Sequence, residues 1–514
     1  MNGSQSSPRP RAFILAACDP ASDPRIGWFA TTLSARYDTT EIGLFRDGAA
    51  GREPSIERLA NGRDRVRAPD TPWPSYVPQD DRGALYADNA GWTTLAAFAY
   101  EAAQIEDGGF FSGSAFAADP AHHERRVQMR RILRTNASLI RAARALGPAD
   151  LLVAADFDAL PAAVVLKQDF GARLLYDAHE FWPYAFPQFD KADEDLWVRI
   201  ERRLAQAADA RFTVSPQLAG RMADTYGVPF ISLPNAAPIA DSPTPPPRKV
   251  KAGDTVEFLF LGGFAPGRGL KLLIEAWPQT PANCMLALQG PDTPYKSDLI
   301  AMARATGLLG SRIQFPPPTS EAALIARAAM ADVGLVPYEP TLVNHQFCSP
   351  NKVSQYMAAG LPILANQTEF VAETIKDAGC GVVIDFSKPG AIADAVAALA
   401  KDGALRRRLG DRGRAAFEQK FNWEAFSPAI MVAAGEPPAR GAPPPEQPEV
   451  ALHRAFAAQT AKSRRNQAEP APWRAIKSAG RFAMRLAWHG VPFLRLIVLS
   501  SARLRQRAEH LREL

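Results

Sequence analysis

The sequence predicts an α/β protein built from two doubly wound parallel-sheet domains, followed by a basic helical tail. Three observations carry this prediction. Apolar runs of strand length alternate with stretches of helical apolar spacing along both halves of the chain. At 514 residues the chain is too long for a single hydrophobic core. Between Ala237 and Pro247 there are five prolines and no apolar pattern, which places a domain boundary there.

In the first half, residues 1–10 are polar and Pro-rich and read as an unstructured lead-in. Ala12 to Ala17 is a buried-strand run, too short for the apolar segment of a secretory leader. A polar loop, Asp19 to Arg25, leads to a helix over Ile26 to Tyr37 whose apolar face is Ile26, Phe29, Ala30 and Leu33. Glu41 to Phe45 is the next strand. Residues 47–120 are rich in Pro, Asp and Gly, with scattered aromatics, and read as an irregular insertion with one helix near Gly91–Gln104. His122 to Leu146 is a basic amphipathic helix. Leu151 to Ala155 (strand), Leu160 to Lys167 (helix) and Arg173 to Tyr176 (strand) follow, the last running into Asp177-Ala178-His179-Glu180. Leu196 to Ala208 is a helix and Ala210 to Val214 a strand. Ser215-Pro216 then supplies the N-cap and first residue of another helix.

The second half opens on the strand Val256–Leu261, which enters Gly262-Gly263-Phe264-Ala265-Pro266-Gly267-Arg268-Gly269 directly. Strand and helix patterns then alternate up to Val333–Val336. Ser349-Pro350-Asn351-Lys352 starts a helix that Gly360 stops in the usual C-terminal position, before a short strand over Leu361–Ala365. Helices over Ala391–Ala400 and Ala404–Phe421 close the domain. The predicted organisation is therefore a first domain at 11–237 with the insertion 47–120, a second at 250–433, a Pro-rich linker at 434–470, and a basic amphipathic tail at 471–514.

Charge separates the body from the tail. The chain carries +5 overall, but from Lys462 onward twelve Lys/Arg stand against three acids, a balance of +9 that leaves 5 − 9 = −4 for the rest. A nucleic-acid-binding body is disfavoured on that balance. The apolar centre of the tail, Leu486 to Leu499, is interrupted by Pro492 and Arg495 and is shorter than the roughly 20 residues a bilayer span needs. It reads as an interfacial helix for an anionic membrane surface. Cys18, Cys284, Cys348 and Cys380 fit no disulfide or zinc spacing, which predicts a reducing compartment.

The chemistry-bearing groups sit at strand ends, where open parallel sheets bind ligands. Gly262, Gly263 and the glycines after them let a backbone approach a phosphate, and Arg268 adds a cation with bidentate geometry. Asn351 and Lys352 stand at a helix start, where unpaired N–H groups favour an anion. His179, flanked by Asp177 and Glu180, offers a base, a metal ligand or a hydrogen-bond donor. No second His or Cys lies at ligand spacing, so no metal is assigned. The sequence lacks a Gly-x-Ser-x-Gly elbow and a Gly-Lys-Ser/Thr phosphate loop, which argues against a serine hydrolase and a P-loop NTPase.

Four segments, Asp23-Pro24-Arg25-Ile26, Leu174 to Glu180, Gly262 to Ala276 and Ser349 to Pro362, occur in an order that resembles the group 1 (family 4-like) retaining glycosyltransferases. That resemblance implies two Rossmann-like domains facing a cleft, the GT-B arrangement, with a nucleotide-diphosphate sugar as donor substrate and no other cofactor. It implies that Arg268 and Lys352 neutralise the diphosphate without a metal and that His179 meets the donor sugar or reacting centre. Asp177, Glu180, Gly262, Gly263, Gly290, Ser349, Asn351 and Gln355 are implied to bind substrate. The sugar would pass with retention to a glycan or lipid-linked acceptor, in a cytoplasmic or inner-membrane-peripheral protein of polysaccharide biosynthesis. Two departures stand out. The family's paired glutamates, with seven residues between them, correspond to Phe347 and Gln355, and its early loop arginine corresponds to Gly263. These departures keep open a catalytically silent nucleotide-binding scaffold, and the architecture also suits a nucleotide-sugar epimerase.

Overall fold

The computed structural model describes residues 9–45, 54–69, 89–106, 123–187, 189–242 and 255–436. The linker from residue 437 and the tail at 471–514, with its predicted helix and membrane surface, lie outside the described residues.

The first domain runs β1 (Arg11–Ala16), α1 (Pro24–Leu33), β2 (Asp38–Leu44), β3 (Ser55–Arg58), β4 (Asp64–Ala68), α2 (Ala90–Glu106), α3 (His123–Leu146), β5 (Leu151–Ala155), α4 (Leu160–Phe170), β6 (Arg173–Ala178), α5 (Lys191–Ala207), β7 (Ala210–Thr213), α6 (Pro216–Tyr226) and β8 (Ile231–Ser232). Local chemistry sets the ends. The Asp23 carboxylate caps α1 by accepting from Arg25 N, with Pro24 at its first turn. The Ser215 hydroxyl does the same for Leu218 N in α6, which Gly227 stops in the left-handed region at φ 71°. The eight strands order as β3-β4-β2-β1-β5-β6-β7-β8, all pairs parallel except β3 with β4. The direction of winding reverses between β1 and β5, where Ala16 pairs with Ala155.

The second domain runs β9 (Val256–Leu261), α7 (Leu270–Ala276), β10 (Cys284–Gln289), α8 (Pro294–Ala305), β11 (Ile313–Gln314), α9 (Leu324–Met330), β12 (Val333–Val336), α10 (Val343–Phe347), α11 (Asn351–Ala358), β13 (Ile363–Asn366), α12 (Glu369–Ala378), β14 (Gly381–Ile384), α13 (Ala391–Lys401) and α14 (Gly403–Gln419). Its six strands order as β11-β10-β9-β12-β13-β14, all parallel. Here the reversal falls at β9. Both sheets are thus doubly wound, as the alternating pattern predicts.

Two stretches differ from expectation. Residues 47–120 are not wholly irregular outside one helix: β3 and β4 form a hairpin that extends the sheet, alongside α2. The sequence hid this hairpin because edge strands are polar. Its apolar share is only Ile56, Val66 and Ala68, which bury against the first-domain core, and the ion pairs Arg58–Asp64 and Arg67–Glu57 flank them at 2.8 and 2.9 Å. After α14, the chain also returns to the first domain through α15 (Trp423–Phe426) and α16 (Pro428–Ala434). Trp423 packs on Trp28 and Phe29 of α1, its indole N–H donates to Thr32 Oγ1 at 2.9 Å, and α16, with Ile430, Ala433 and Ala434 buried, lies against α1 and β6, where Arg173 Nε donates to Ala433 O at 2.7 Å. The chain therefore crosses between domains twice, near Asn235–Ala237 and near Asn422–Trp423, and the crossings touch where Trp423 N donates to Ala237 O.

Candidate active site

On the second-domain wall, β9 delivers Gly262 to Gly269 at its carboxyl end. Gly269 is confined to glycine. Its φ is 67°, and a Cβ there would lie 1.9 Å from the Pro337 carbonyl oxygen. Its N–H donates to Glu339 Oε1 at 3.1 Å. Gly290, at the end of β10, is equally constrained, because a Cβ there would stand 2.0 Å from the Gly262 oxygen. Two cations converge on this loop. Arg268 Nη1 donates to Gly263 O at 2.9 Å, and its guanidinium lies 5.5 Å from the Tyr338 ring. Lys352 Nζ donates to Tyr338 Oη at 3.0 Å and lies 4.9 Å from the Phe260 ring. Both cations lie against the glycine backbone: a Cβ on Gly262 would just touch Lys352 Nζ at 3.4 Å, and one on Gly263 would touch Arg268 Nη1 at the same distance.

Lys352 is buried in the first turn of α11. Burial pushes its ammonium pKa down, and the neighbouring Arg268 charge pushes the same way against Tyr338. Asn351 beside it has a buried Oδ1 without a hydrogen-bond partner among the described residues. Gln355, one turn on, is buried and donates from Nε2 to Glu321 Oε1 at 3.1 Å. Burial raises the Glu321 carboxyl, the Asp23 charge across the cleft adds to this, and Gln355 opposes. Ser349 faces the crossover: its hydroxyl accepts from Asn235 N at 3.1 Å and its carbonyl from Asn235 Nδ2 at 2.9 Å.

On the first-domain wall, β6 delivers Asp177 and His179. Burial opposes the Asp177 charge, but Arg25 and His179 outweigh it and hold the carboxyl well below the usual carboxylate range. Arg25 grips it with Nε at 2.8 Å and Nη2 at 2.6 Å. His179 Nε2 lies 3.0 Å from Asp177 Oδ2, and Nδ1 lies 3.5 Å from Asp23 Oδ2. Burial would lower the imidazole, but Asp177, Asp23 and Asp156 raise it to about 9, so it is a cation near neutral pH. Asp156, at the end of β5, is the non-glycine residue with positive φ (69°) among the described residues, and burial pushes its carboxyl to about 7. Solvent reaches Glu180, yet the cleft walls crowd its carboxyl upward, against the charges of His179 and Arg268.

The carboxyl ends of the two sheets face each other. Asn344 of α10 accepts from Phe181 N at 2.9 Å and donates to Phe181 O at 3.2 Å, joining the walls just beyond β6. Phe347 packs against the first-domain core and lies 6.0 Å from the Arg221 guanidinium. Of the residues singled out from sequence, Gly262, Gly263, Gly290, Arg268, Asn351, Lys352 and Gln355 share one wall. His179, Asp177 and Glu180 share the other, and Ser349 belongs to the crossover. Sequence reading missed Tyr338, Glu321 and Asp156. Tyr338 and Asp156 each follow the end of a strand, and that position was the available signal.

Two doubly wound domains with a glycine-lined cation pair on one wall and a carboxylate-held imidazolium on the other define a GT-B architecture. The chain belongs to the group 1 glycosyltransferases. The profile described as "Glycosyl transferases group 1" matches residues 242–416, and that described as "Glycosyl transferase 4-like domain" matches 114–235. It is similar to a phosphatidyl-myo-inositol mannosyltransferase of Mycobacterium leprae, at 26% identity over 40% of this chain and 50% of the relative. It is also similar to a GDP-mannose-dependent alpha-(1-6)-phosphatidylinositol monomannoside mannosyltransferase of Mycolicibacterium smegmatis, at 27% identity over 43% and 61%. The chain thus spans about half to three fifths of the curated relatives it matches. Among solved structures, sucrose-phosphate synthase from Thermosynechococcus elongatus shares the fold, with a TM-score of 0.57 and 17% identity over 82% of this chain and 97% of that one.

Proposed function

We propose that the protein transfers a sugar from a nucleoside-diphosphate sugar to a hydroxyl of a glycan or lipid-linked acceptor, with retention at the anomeric carbon. One observation carries this reading: Arg268 and Lys352 converge on Tyr338 against the Gly262–Gly263 backbone, opposite the His179 imidazolium. Two mutually repelling cations, one buried, suit a diphosphate, whose charge relieves the repulsion. As the acceptor oxygen bonds to the anomeric carbon and the sugar–phosphate bond breaks, the hydroxyl proton passes to the departing diphosphate, and fixed cations in a poorly solvated pocket stabilise the charge growing there more than they stabilise the bound donor. Those two cations carry the neutralisation themselves, and turnover retained in EDTA is the expected result.

His179, already protonated, donates toward the reacting side and does not act as a base. Gln355 and Glu321, one turn beyond Lys352, offer an amide and a carboxylate to sugar or ribose hydroxyls. The mannosyltransferase relatives support a donor of the GDP-mannose type and a lipid-linked acceptor as first candidates. The direct experiment incubates the full chain with a panel of nucleotide sugars, with and without polyprenyl- and inositol-lipid acceptors, and measures nucleoside diphosphate release. Turnover with one donor, and an anomeric configuration matching the donor by NMR, is the expected outcome. Saturable binding without turnover across the panel would replace this reading with the silent scaffold, which the Phe347 substitution favours.

A further inference from the structure

Arg25 is buried behind the cleft, yet it touches both interdomain crossovers. Only 2% of it is exposed. Its guanidinium fork holds both Asp177 oxygens, and Nη1 donates to Leu233 O at 2.9 Å and to Asn235 Oδ1 at 2.8 Å on the first crossover. Its flat face lies 5.7 Å from the ring centre of Trp423 on the second crossover, and 5.8 Å from that of Phe29. Asn235 in turn holds Ser349, at the mouth of the helix that carries Lys352. One buried side chain therefore links the carboxylate that orients His179 to both interdomain strands and, through Asn235, to the diphosphate wall.

We infer that Arg25 is a positioning residue: it fixes Asp177 so that the His179 imidazolium is held toward the cleft, and it ties that orientation to the two crossovers. This rests on the reading of His179 as the reacting-side cation. The geometry explains why an arginine is needed. A carboxylate shared between His179 and a lysine would keep its charge partner but lose the planar two-point grip, and a lysine cannot reach the crossover carbonyls at the same time. Other groups also face His179: Asp23 from the loop after β1, Asp156 and Asp158 after β5, and neighbouring Glu180. They sustain part of its charge without fixing which way Nε2 points.

The test uses the full chain with Arg25→Lys, Arg25→Gln and Asn235→Ala. Nucleoside diphosphate affinity, measured by calorimetry, is expected to change less than about threefold, because Arg268 and Lys352 are untouched. Turnover is expected to fall roughly tenfold to 100-fold, in kcat more than in KM. Histidine resonances report on the link independently of turnover. With Arg25 gone, Asp177 no longer stays within 3.0 Å of Nε2, and the His179 midpoint falls from about 9 toward its ordinary range. A rise would mean that Arg25 acts on His179 only as a repelling charge, and an unchanged midpoint that it does not act at all. Either outcome overturns the inference. If Arg25→Gln fails to fold, Arg25→Lys and Asn235→Ala decide the matter, and wild-type kcat in both would equally sink it. If no donor is ever turned over, the proposed activity fails while the titration still judges Arg25.

Discussion

At the residue scale, the second-domain wall sets like charges side by side, with the Arg268 guanidinium bearing on the buried Lys352 ammonium. Lys352→Met should keep the shape of the pocket and remove one charge-assisted contact, weakening nucleoside diphosphate binding by roughly 1.5–3 kcal/mol, or about 10- to 150-fold. Arg268→Gln should do the same, and calorimetry with both variants checks the pair. The pH dependence follows from His179. Its folded pKa, about 9, lies above the ordinary histidine value, so its pairing with Asp177 stabilises the fold fully below pH ~6.5 and is lost as pH rises through about 9. The same deprotonation removes the cation from the cleft, so turnover should decline on an alkaline limb near pH 9, visible in a kcat profile. Gln355→Glu supplies a further check. A carboxylate placed 3.1 Å from one whose carboxyl is already raised adds like-charge repulsion, so it should weaken donor binding severalfold, on the order of 1 kcal/mol. Tighter binding by that variant would refute the role assigned to the Gln355–Glu321 pair. Arg268, Lys352 and His179 were legible in the sequence because each stands directly at a strand or helix end. The partnership of Arg25 with Asp177, 152 positions away, was not, and neither was that of Gln355 with Glu321, 34 positions away, because only the tertiary fold brings them together.

At the scale of elements, strands and helices with an apolar period were readable to within a few residues. Charge-rich or very short elements were not: the β3–β4 strands, Ser55–Arg58 and Asp64–Ala68, set three apolar residues among charged ones, and the single turn of α10 has no period to show. Yet α10 contributes Asn344, which joins the two walls. The glycine loop is the element most sharply defined by local geometry. Gly269→Ala places a Cβ against the Pro337 carbonyl at a left-handed φ. The conformational penalty alone is roughly 1–2 kcal/mol, and the clash adds to it. The variant should melt earlier in calorimetry and lose nucleotide binding, whereas alanine at Gly220, where nothing lies within 4 Å, should change neither.

At the scale of the whole molecule, the alternating pattern implied two parallel-sheet domains, but it gave no sign that the chain comes back. Trp423, on the second crossover, is only 4% exposed, packed on α1 and hydrogen-bonded to Ala237 of the first. Trp423→Ala should cost about 3–5 kcal/mol and unfold the first domain at lower denaturant, although position 423 follows the second domain in sequence. A transition that moved only for the second domain would contradict this arrangement.

That return path fixes an order of events during synthesis. The surface of α1 that Trp423, Ile430 and Ala434 cover belongs to a domain whose other strands and helices are complete by residue 232. While the ribosome makes the next two hundred or so residues, that apolar face has no lid. Of the two domains, the one made first is therefore completed only after the second, and it presents a greasy flank to chaperones until α16 has cleared the exit tunnel.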